Sequence, residues 1–364
     1  MSQQRSSIIY NNPLIPSIKS TTRYNHALAL ARTARSSVLI TNVRPPMKIK
    51  RKYDNVHILG EVNNGVDMLK RAYEARNIVH KACNQSEGDR VVYVTSFHYA
   101  QALSGYLSNV QWAVDIYDDP IQLSIRRSAF SPHQIALRLL LRILDNADIG
   151  IATLHPDGPR SNLGRSTRFA LNGSPVSSIY PGTKPSKSPL QCVWVGKTEV
   201  GWGIELLLKS LADIQEELII DVYGTPDSSA KSLATELGVR EKIQFHGNVS
   251  HEQVRTAIED AHVGLCVLTP YADFKYSFPI KVGEYLAGGT IPLSSNFPGI
   301  RMVAGNAGIY IKPDSLDLTT ALEKLATMDN NEMSSLADSA RKRAETISWK
   351  SERERFAEHV IRPP

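Results

Sequence analysis

The side chains best suited to chemistry lie in the segment Ser277 to Leu293, SFPIKVGEYLAGGTIPL. Lys281 and Glu284 are three residues apart, so a helix that starts near Pro279 would present both on one face at its positive end. Proline suits the first helical position, where a missing N–H costs nothing. Free N–H groups and a lysine bind phosphate, and a carboxylate binds sugar hydroxyls. The segment therefore predicts a site for a ligand that carries a diphosphate and a ribose.

The elements around this segment alternate short apolar strand patterns with helical patterns. At 364 residues the chain exceeds the usual size of a single core, so two domains are expected. The alternation indicates βαβ units and parallel sheets in an α/β protein. Strand patterns occupy 7–11, 37–43, 90–96, 111–117 and 148–153, then 191–196, 217–224, 243–247, 263–268, 290–294 and 308–311.

A change in amino-acid composition separates the two halves of the chain. Residues 172–189, NGSPVSSIYPGTKPSKSP, are rich in Pro, Gly and Ser, which is typical of a linker or a hinge. We expect two doubly wound, Rossmann-like domains, at 1–182 and 183–345, that face a central cleft where ligands bind.

The charge of the chain is divided unevenly. Residues 1–185 hold 23 Lys and Arg against 12 Asp and Glu, whereas residues 186–364 hold 19 against 24. Such a split indicates that one half meets an anionic partner, although drift in surface charge is the alternative.

Two basic stretches suggest that this partner is an anionic membrane surface. Residues 47–53, MKIKRKY, mix cations with apolar side chains. Residues 124–144 read as an amphipathic helix with Arg138 and Arg142 at the margins of a leucine stripe. The alternatives are a solvated loop and a helix packed on a sheet.

Other classes of protein are disfavoured. No helix-turn-helix, RNA-recognition or zinc-finger pattern supports nucleic-acid binding. The loop after the first strand has no G-x-G-x-x-G, which disfavours a dinucleotide-dependent dehydrogenase. The three cysteines are far apart, so we expect neither a zinc site nor a disulfide framework. Without a signal-peptide pattern or a run of roughly 18–20 apolar residues, we expect a cytoplasmic protein, peripheral at the inner face of a membrane.

The second half resembles the nucleotide-sugar-binding domain of GT-B glycosyltransferases, in particular the retaining group called family four. The pattern P-x-K-x-x-E-Y-L-A-x-G-x-x-P at 279–292 is its most specific part, and the resemblance covers about residues 188–350. It implies the GT-B fold, a nucleotide diphosphate sugar as donor and co-substrate, and transfer to an acceptor hydroxyl with retention. It also implies that the enzyme uses no metal and no other cofactor. By the same analogy, residues 346–364 form a helix that crosses back to the first domain.

The resemblance assigns donor roles to particular residues. Glu284 matches the carboxylate that binds the ribose, while Lys197 and Lys281 match positions beside the diphosphate, where they would act in catalysis. The backbone of the loop at Ser277 and Phe278 would face the phosphates. Three further positions complete the implied donor site, at Gly196, Gly224 and His246.

Two departures from the family pattern stand out. Tyr276 occupies the position of the family's first glutamate, and Trp202 falls where a second basic residue is common. The resemblance therefore implies the class of the donor and not the sugar, and it implies that Lys281 replaces some of the missing positive charge.

The first half is expected to bind the acceptor, a glycan or a lipid-linked glycan. His98 and Asp118 follow strand patterns at positions where the family often contacts the transferred sugar, although a plain loop histidine and a turn aspartate are the alternatives. The first loop carries the hydrogen-bonding side chains Lys19, Ser20 and Thr21. A nucleotide-sugar epimerase of the same fold and a non-catalytic nucleotide-sugar-binding partner remain alternatives to the transferase.

Overall fold

A computed structural model describes most of the chain. The described residues are 6–10, 22–34, 36–41, 47–60, 65–85, 90–94, 111–116, 149–158, 166–184, 187–199, 201–225, 228–271 and 274–361. The chain forms two compact units, one of Met1–Ala170 with Lys350–Pro364 and the other of Leu171–Trp349.

The described part of the first unit is a parallel sheet with helices. Its strands are β1 (Ser6–Tyr10), β2 (Ser36–Thr41), β3 (Asn55–Ile58), β4 (Arg90–Val94), β5 (Gln111–Ile116), β6 (Ile149–Ala152) and β7 (Thr167–Phe169). Its helices are α1 (Thr22–Thr33), the short α2 (Met47–Lys50) and α3 (Gly65–Gln85). The strand order is β3-β2-β1-β4-β5-β6-β7, so the order reverses between β1 and β4 as in doubly wound folds.

A buried polar cluster lies inside the first unit. The Tyr93 hydroxyl donates to the Asp115 carboxylate at 2.5 Å, and His26 Nδ1 lies 3.1 Å from the same oxygen. Phe356, from the last helix, stacks on the His26 ring with 3.8 Å between ring centres. The C-terminal segment from Lys350 thus completes the core of the first unit.

The second unit is a second parallel sheet of doubly wound topology. Its strands are β8 (Leu190–Val195), β9 (Leu218–Tyr223), β10 (Ile243–Gly247), β11 (Val263–Cys266), β12 (Ile291–Ser295) and β13 (Ile309–Ile311), in the order β10-β9-β8-β11-β12-β13. Its helices are α4 (Ile204–Asp213), α5 (Ser228–Glu236), α6 (His251–Asp260), α7 (Ile280–Ala287), α8 (Pro298–Ala304), α9 (Ser315–Thr327) and α10 (Asn330–Thr346); α11 (Trp349–Ile361) then follows. Strands such as β11 and β12 are buried throughout, because helices cover both faces of a parallel sheet.

The segment that the sequence predicts as a linker does not behave as one over its first part. Asn172, Gly173, Ser174 and Pro175 are buried in the second unit, and the Ser174 N–H donates to the Ile347 carbonyl at 2.7 Å. This packing moves the unit boundaries to 170/171 and 349/350, away from the predicted 182/183 and 345/346. Small residues are needed there for close packing, since a Cβ on Gly173 would overlap the Trp349 ring.

The structure describes one of the two basic stretches, residues 47–53, and not the other. Residues 124–144 lie outside the described residues. In the other stretch, Met47 is 62% exposed and Lys50 and Arg51 are exposed, whereas Tyr53 is buried in the core. Within the described ranges, no helix combines the length and apolar character that crossing a membrane requires.

Candidate donor site

The carboxyl ends of β8, β9 and β10 are held together by glycines. The Gly196 N–H donates to the Tyr223 carbonyl at 2.8 Å, and the Gly224 N–H donates to the Gly247 carbonyl at 2.9 Å. Gly224 has a φ of +135°, and a Cβ there would overlap the carbonyl oxygen of Gly196. Only glycine allows this approach, which brings the predicted positions 196 and 224 into contact.

Helix α7 begins beside these strand ends. Pro279 caps the helix with an extended ψ of 123°, and Ile280 is the first helical residue, so the predicted placement of Pro279 at the first position is wrong by one residue. The cap makes no side-chain hydrogen bond. The Val282 N–H donates to the Pro279 carbonyl at 3.1 Å. The two N–H groups before it, of Ile280 and Lys281, have no partner within a helix, so this end of α7 attracts anions.

The loop before α7 is fixed by its own hydrogen bonds. Both the N–H and the hydroxyl of Ser277 donate to the Phe274 carbonyl, at 3.3 and 2.9 Å. The Ser277 N–H is therefore engaged by the 3₁₀ turn at Phe274–Tyr276, and the predicted contact of this loop with the phosphates remains a prediction. Phe278 is buried and anchors the loop in the core.

Two buried polar side chains that the sequence did not single out position α7. Asn172 donates its amide to the Phe278 carbonyl. The Ser174 hydroxyl donates to the Gly283 carbonyl at 2.6 Å. The only sequence signal was a Gly/Ser-rich segment, which is equally typical of an exposed linker.

Lys281 is a buried cation at the start of α7. Only 7% of the residue is exposed, and Nζ has no hydrogen-bond partner among the residues that the structure describes. The ammonium lies 4.9 Å from the Trp194 ring centre and 5.3 Å from that of Trp202. Burial lowers the pKa of Lys281, and the neighbouring Cys266 and Glu284 oppose this shift.

Glu284 lies one helical turn after Lys281. It is also only 7% exposed, and burial raises the pKa of its carboxyl group, while His251 and Lys281 act in the opposite direction. The predicted pair thus lies on one helix, largely withdrawn from water. A ligand that has both phosphate and hydroxyl groups can satisfy all the polar groups gathered here. Its phosphate would bind the buried ammonium and the N–H groups at the helix start, and its hydroxyls would donate to the carboxylate.

Lys197 is placed differently from Lys281. Its side chain is 61% exposed, and its ammonium lies 3.5 Å from the Glu199 carboxylate. Its carbonyl oxygen accepts a hydrogen bond from the Trp194 indole at 3.2 Å. Its role at the diphosphate remains a prediction.

His246 lies at an irregularity in β10, where the register with β9 shifts. Its Nε2 is 2.6 Å from the Asp221 carboxylate, and its ring stacks on Tyr223 with 4.5 Å between centres. Two residues of β9, Asp221 and Tyr223, therefore orient the imidazole. Its contact with the nucleobase remains a prediction.

The two departures from the family pattern have distinct surroundings. The Trp202 ring faces the Lys281 ammonium and meets Phe274 edge-on at 5.2 Å. Tyr276 is half-buried, and the Lys275 ammonium lies 5.5 Å from its ring centre.

Five predicted residues of the first half cannot be placed. His98, Asp118, Lys19, Ser20 and Thr21 lie outside the described residues. Among the residues that are described, no group of three or more His, Cys, Asp and Glu side chains could hold a metal ion.

Comparison with known proteins places this site in a family. Residues 183–343 match the family model for glycosyl transferases group 1, and these residues contain every donor-site residue that the sequence predicts. A comparison with curated protein sequences finds no match.

Solved structures share the fold over almost the whole chain. Sucrose-phosphate synthase from Thermosynechococcus elongatus is 15% identical with a TM-score of 0.71, and 98% of each chain is covered. HepE from Anabaena, solved with UDP and glucose, is 13% identical with a TM-score of 0.73, over 98% of this chain and 99% of that one. A glycosyltransferase from Rickettsia africae is 13% identical with a TM-score of 0.70, over 99% and 100%. Residues 183–343 thus form a glycosyl transferases group 1 domain within a chain of GT-B fold, which supports a glycosyltransferase enzyme.

Proposed function

We propose that the second unit binds a nucleotide diphosphate sugar and that the enzyme transfers the sugar to an acceptor hydroxyl with retention at the anomeric carbon. The observation that carries this proposal is the Lys281 ammonium, which is buried and has no hydrogen-bond partner among the described residues. A buried charge without a partner is costly, and an anionic ligand removes that cost.

The parts of the donor follow from the groups around α7. The diphosphate meets Lys281 and the first N–H groups of the helix, since both favour negative charge. The ribose hydroxyls donate to Glu284, one turn further along. The nucleobase lies towards Gly224 and His246, and Lys197 approaches the diphosphate from solvent.

UDP-glucose is the first donor to test. HepE, which shares the fold at 14% identity, was solved in complex with UDP-glucose. That ligand contains the diphosphate and the ribose to which Lys281 and Glu284 are suited.

Catalysis rests on stabilising the leaving group. The bond between the anomeric carbon and the β-phosphate oxygen breaks, and its electron pair stays on the diphosphate. Lys281 and the α7 N–H groups stabilise that developing charge. The acceptor oxygen bonds to the anomeric carbon on the same face, and its proton passes to the departing phosphate oxygen.

The acceptor side belongs to the first unit. His98 and Asp118 are proposed to contact the transferred sugar, and Lys19, Ser20 and Thr21 to contact the acceptor, a glycan or a lipid-linked glycan. The basic first half, with exposed Lys50 and Arg51, suits an acceptor held at an anionic membrane surface.

A screen of nucleotide sugars tests the donor assignment. Ligands that bind the native state raise its melting temperature, so UDP-glucose and UDP should do so for the wild type and not for Lys281→Met. Lys275→Met, which removes an exposed lysine six residues away, is the matched control.

Turnover tests the reaction. With the stabilising donor and a panel of lipid-linked and free glycan acceptors, proton NMR of the product should show the anomeric configuration of the donor sugar. An inverted product would overturn retention. Conversion of the donor without any acceptor would favour the epimerase, and donor binding without turnover for any acceptor would favour a binding protein.

A further inference from the structure

Two tryptophans contact the Lys281 ammonium where a counter-ion would be expected. The ring centres of Trp194 and Trp202 lie 4.9 and 5.3 Å from Nζ. Ring centres within about 6 Å of a cation attract it through the negative face of the aromatic system. We call Trp194 and Trp202 the indole pair.

Both rings are held independently of any ligand. Trp194, on β8, is fully buried, and its indole N–H donates to the Lys197 carbonyl at 3.2 Å. Trp202 lies in the turn before α4, where its backbone N–H donates to the Glu199 carbonyl at 3.1 Å and its ring meets Phe274 edge-on. The site for the cation is therefore built before the donor arrives.

Aromatic rings differ from a carboxylate in one important respect. A carboxylate at the place of Trp202 would neutralise the ammonium and would have to be displaced by a phosphate. Indole rings attract the cation without carrying a formal charge, so the charge of Lys281 stays available.

We propose that Trp202, together with Trp194, is a positioning residue that holds the Lys281 ammonium protonated and aimed before the diphosphate binds. This inference rests on the proposed function, because it takes the ligand of Lys281 to be the donor diphosphate. Trp202 does not act on the reacting atoms; it acts through Lys281.

Two titratable groups act on the ammonium from the elements packed around it. Cys266 ends β11, and Glu284 lies on α7. Burial raises the pKa of the Cys266 thiol, so the thiol stays neutral near pH 7. In the described structure, the cation therefore depends on the indole pair and on Glu284 for the attraction that keeps its proton.

The test begins with a ligand-free titration of Lys281. Carbon-13 NMR of protein labelled at lysine Cε reports the protonation of each lysine, and Lys281→Met identifies the relevant signal. Trp202→Leu should lower the apparent pKa of Lys281 by about half to one unit. A cation–π contact contributes roughly 0.5–2 kcal/mol, depending on its burial, and one pKa unit corresponds to about 1.4 kcal/mol. Trp202→Phe, which keeps a smaller ring, should fall between Trp202→Leu and the wild type.

The matched control is Phe245→Leu. It truncates a half-buried aromatic ring of β10 that packs on the core of the same unit, so it should leave the Lys281 titration unchanged. An equal shift in Phe245→Leu, or no shift in Trp202→Leu, would overturn the proposal. If Trp202→Leu does not fold, Trp202→Phe decides in the same way.

UDP binding by calorimetry separates this inference from the proposed function. A titration shift together with a several-fold weaker affinity of Trp202→Leu for UDP-glucose at alkaline pH supports both. A shift in a protein that binds no nucleotide would keep the indole pair and refute the donor site. Nucleotide binding without a shift would refute the indole pair alone.

Discussion

The Lys281 ammonium lies 4.9 Å from the centre of the Trp194 ring and has no hydrogen bond to any residue that the structure describes. Among the described residues, the free protein therefore keeps a buried charge that two aromatic rings and the neighbouring Glu284 carboxylate partly compensate. Such an arrangement costs stability in the free protein and favours an anionic ligand.

Replacing Lys281 with Met should separate stability from binding. The apolar side chain removes the buried charge at similar volume, and Glu284, whose pKa burial already raises, can then take up a proton and become neutral. The free energy of unfolding should therefore rise by about 1 kcal/mol. That gain corresponds to roughly 2–4 °C in melting temperature for a unit of this size. UDP should no longer raise the melting temperature of this variant.

Thermal melts with and without UDP check both effects in one experiment. Lys275→Met should melt like the wild type and keep the UDP response, because that lysine is exposed. Destabilisation of Lys281→Met would show that the charge is compensated in the free protein.

The affinity for UDP-glucose should fall on both sides of an optimum pH. Burial raises the pKa of Glu284, so as the pH falls through that raised value the carboxylate is protonated and accepts ribose hydroxyls less well. Burial lowers the pKa of Lys281, so as the pH rises through that lowered value the ammonium is lost.

Calorimetry over a pH series measures this profile, and UDP-glucose is preferable to UDP because its diphosphate carries no terminal group that titrates near neutrality. Glu284→Gln should remove the acid limb and Lys281→Met the alkaline limb. Persistence of either limb in the corresponding variant would mean that another group titrates there.

Gly224→Ala should damage the donor site through the backbone. A Cβ at this position would overlap the Gly196 carbonyl oxygen, so the ends of β8 and β9 must separate. The cost should exceed the roughly 1–2 kcal/mol of a left-handed conformation alone. Gly238→Ala is the control, because Gly238 also has a positive φ, of +70°, but an added Cβ would have nothing within 4 Å. Denaturant unfolding of the two variants compares the costs, and equal losses would show that steric contact at Gly224 is unimportant.

Phe356→Ala should destabilise the first unit. Phe356 is buried and stacks on His26, and truncating a buried Phe to Ala typically costs about 3–5 kcal/mol. Relative to the wild type, amide hydrogen exchange should accelerate more in β4 and β5 of the first unit than in β8 and β11 of the second. Uniform acceleration in both units, or none, would contradict a role of α11 within the core of the first unit.

Part of the donor site could be predicted from sequence because it is local. Lys281 and Glu284 belong to one helix, and the alternation of strand and helix patterns around them predicts a parallel sheet, in which such a helix starts after the carboxyl end of a strand. The strand order itself came from the structure. The one-residue error at Pro279 concerns a helix boundary, which is the least certain part of a sequence-based assignment.

The rest depends on contacts between distant parts of the chain. The Trp202 side chain faces a lysine 79 positions later in the sequence, and Asn172 bonds to a carbonyl 106 positions away. No local pattern marks such pairs, and Trp202 read only as the loss of a basic residue. The Gly/Ser composition near Asn172 read as a linker, because polar residues that satisfy buried backbone groups have the same composition as exposed turns.

The most direct measurement is isothermal calorimetry of UDP-glucose binding to the wild type, Lys281→Met, Glu284→Gln and Lys275→Met at one pH. Hydrogen bonds to charged groups contribute about 1.5–3 kcal/mol, so each of the first two variants should bind at least about tenfold more weakly, and the third should match the wild type. Equal affinity in all four proteins would contradict the assignment of the donor diphosphate and ribose to Lys281 and Glu284.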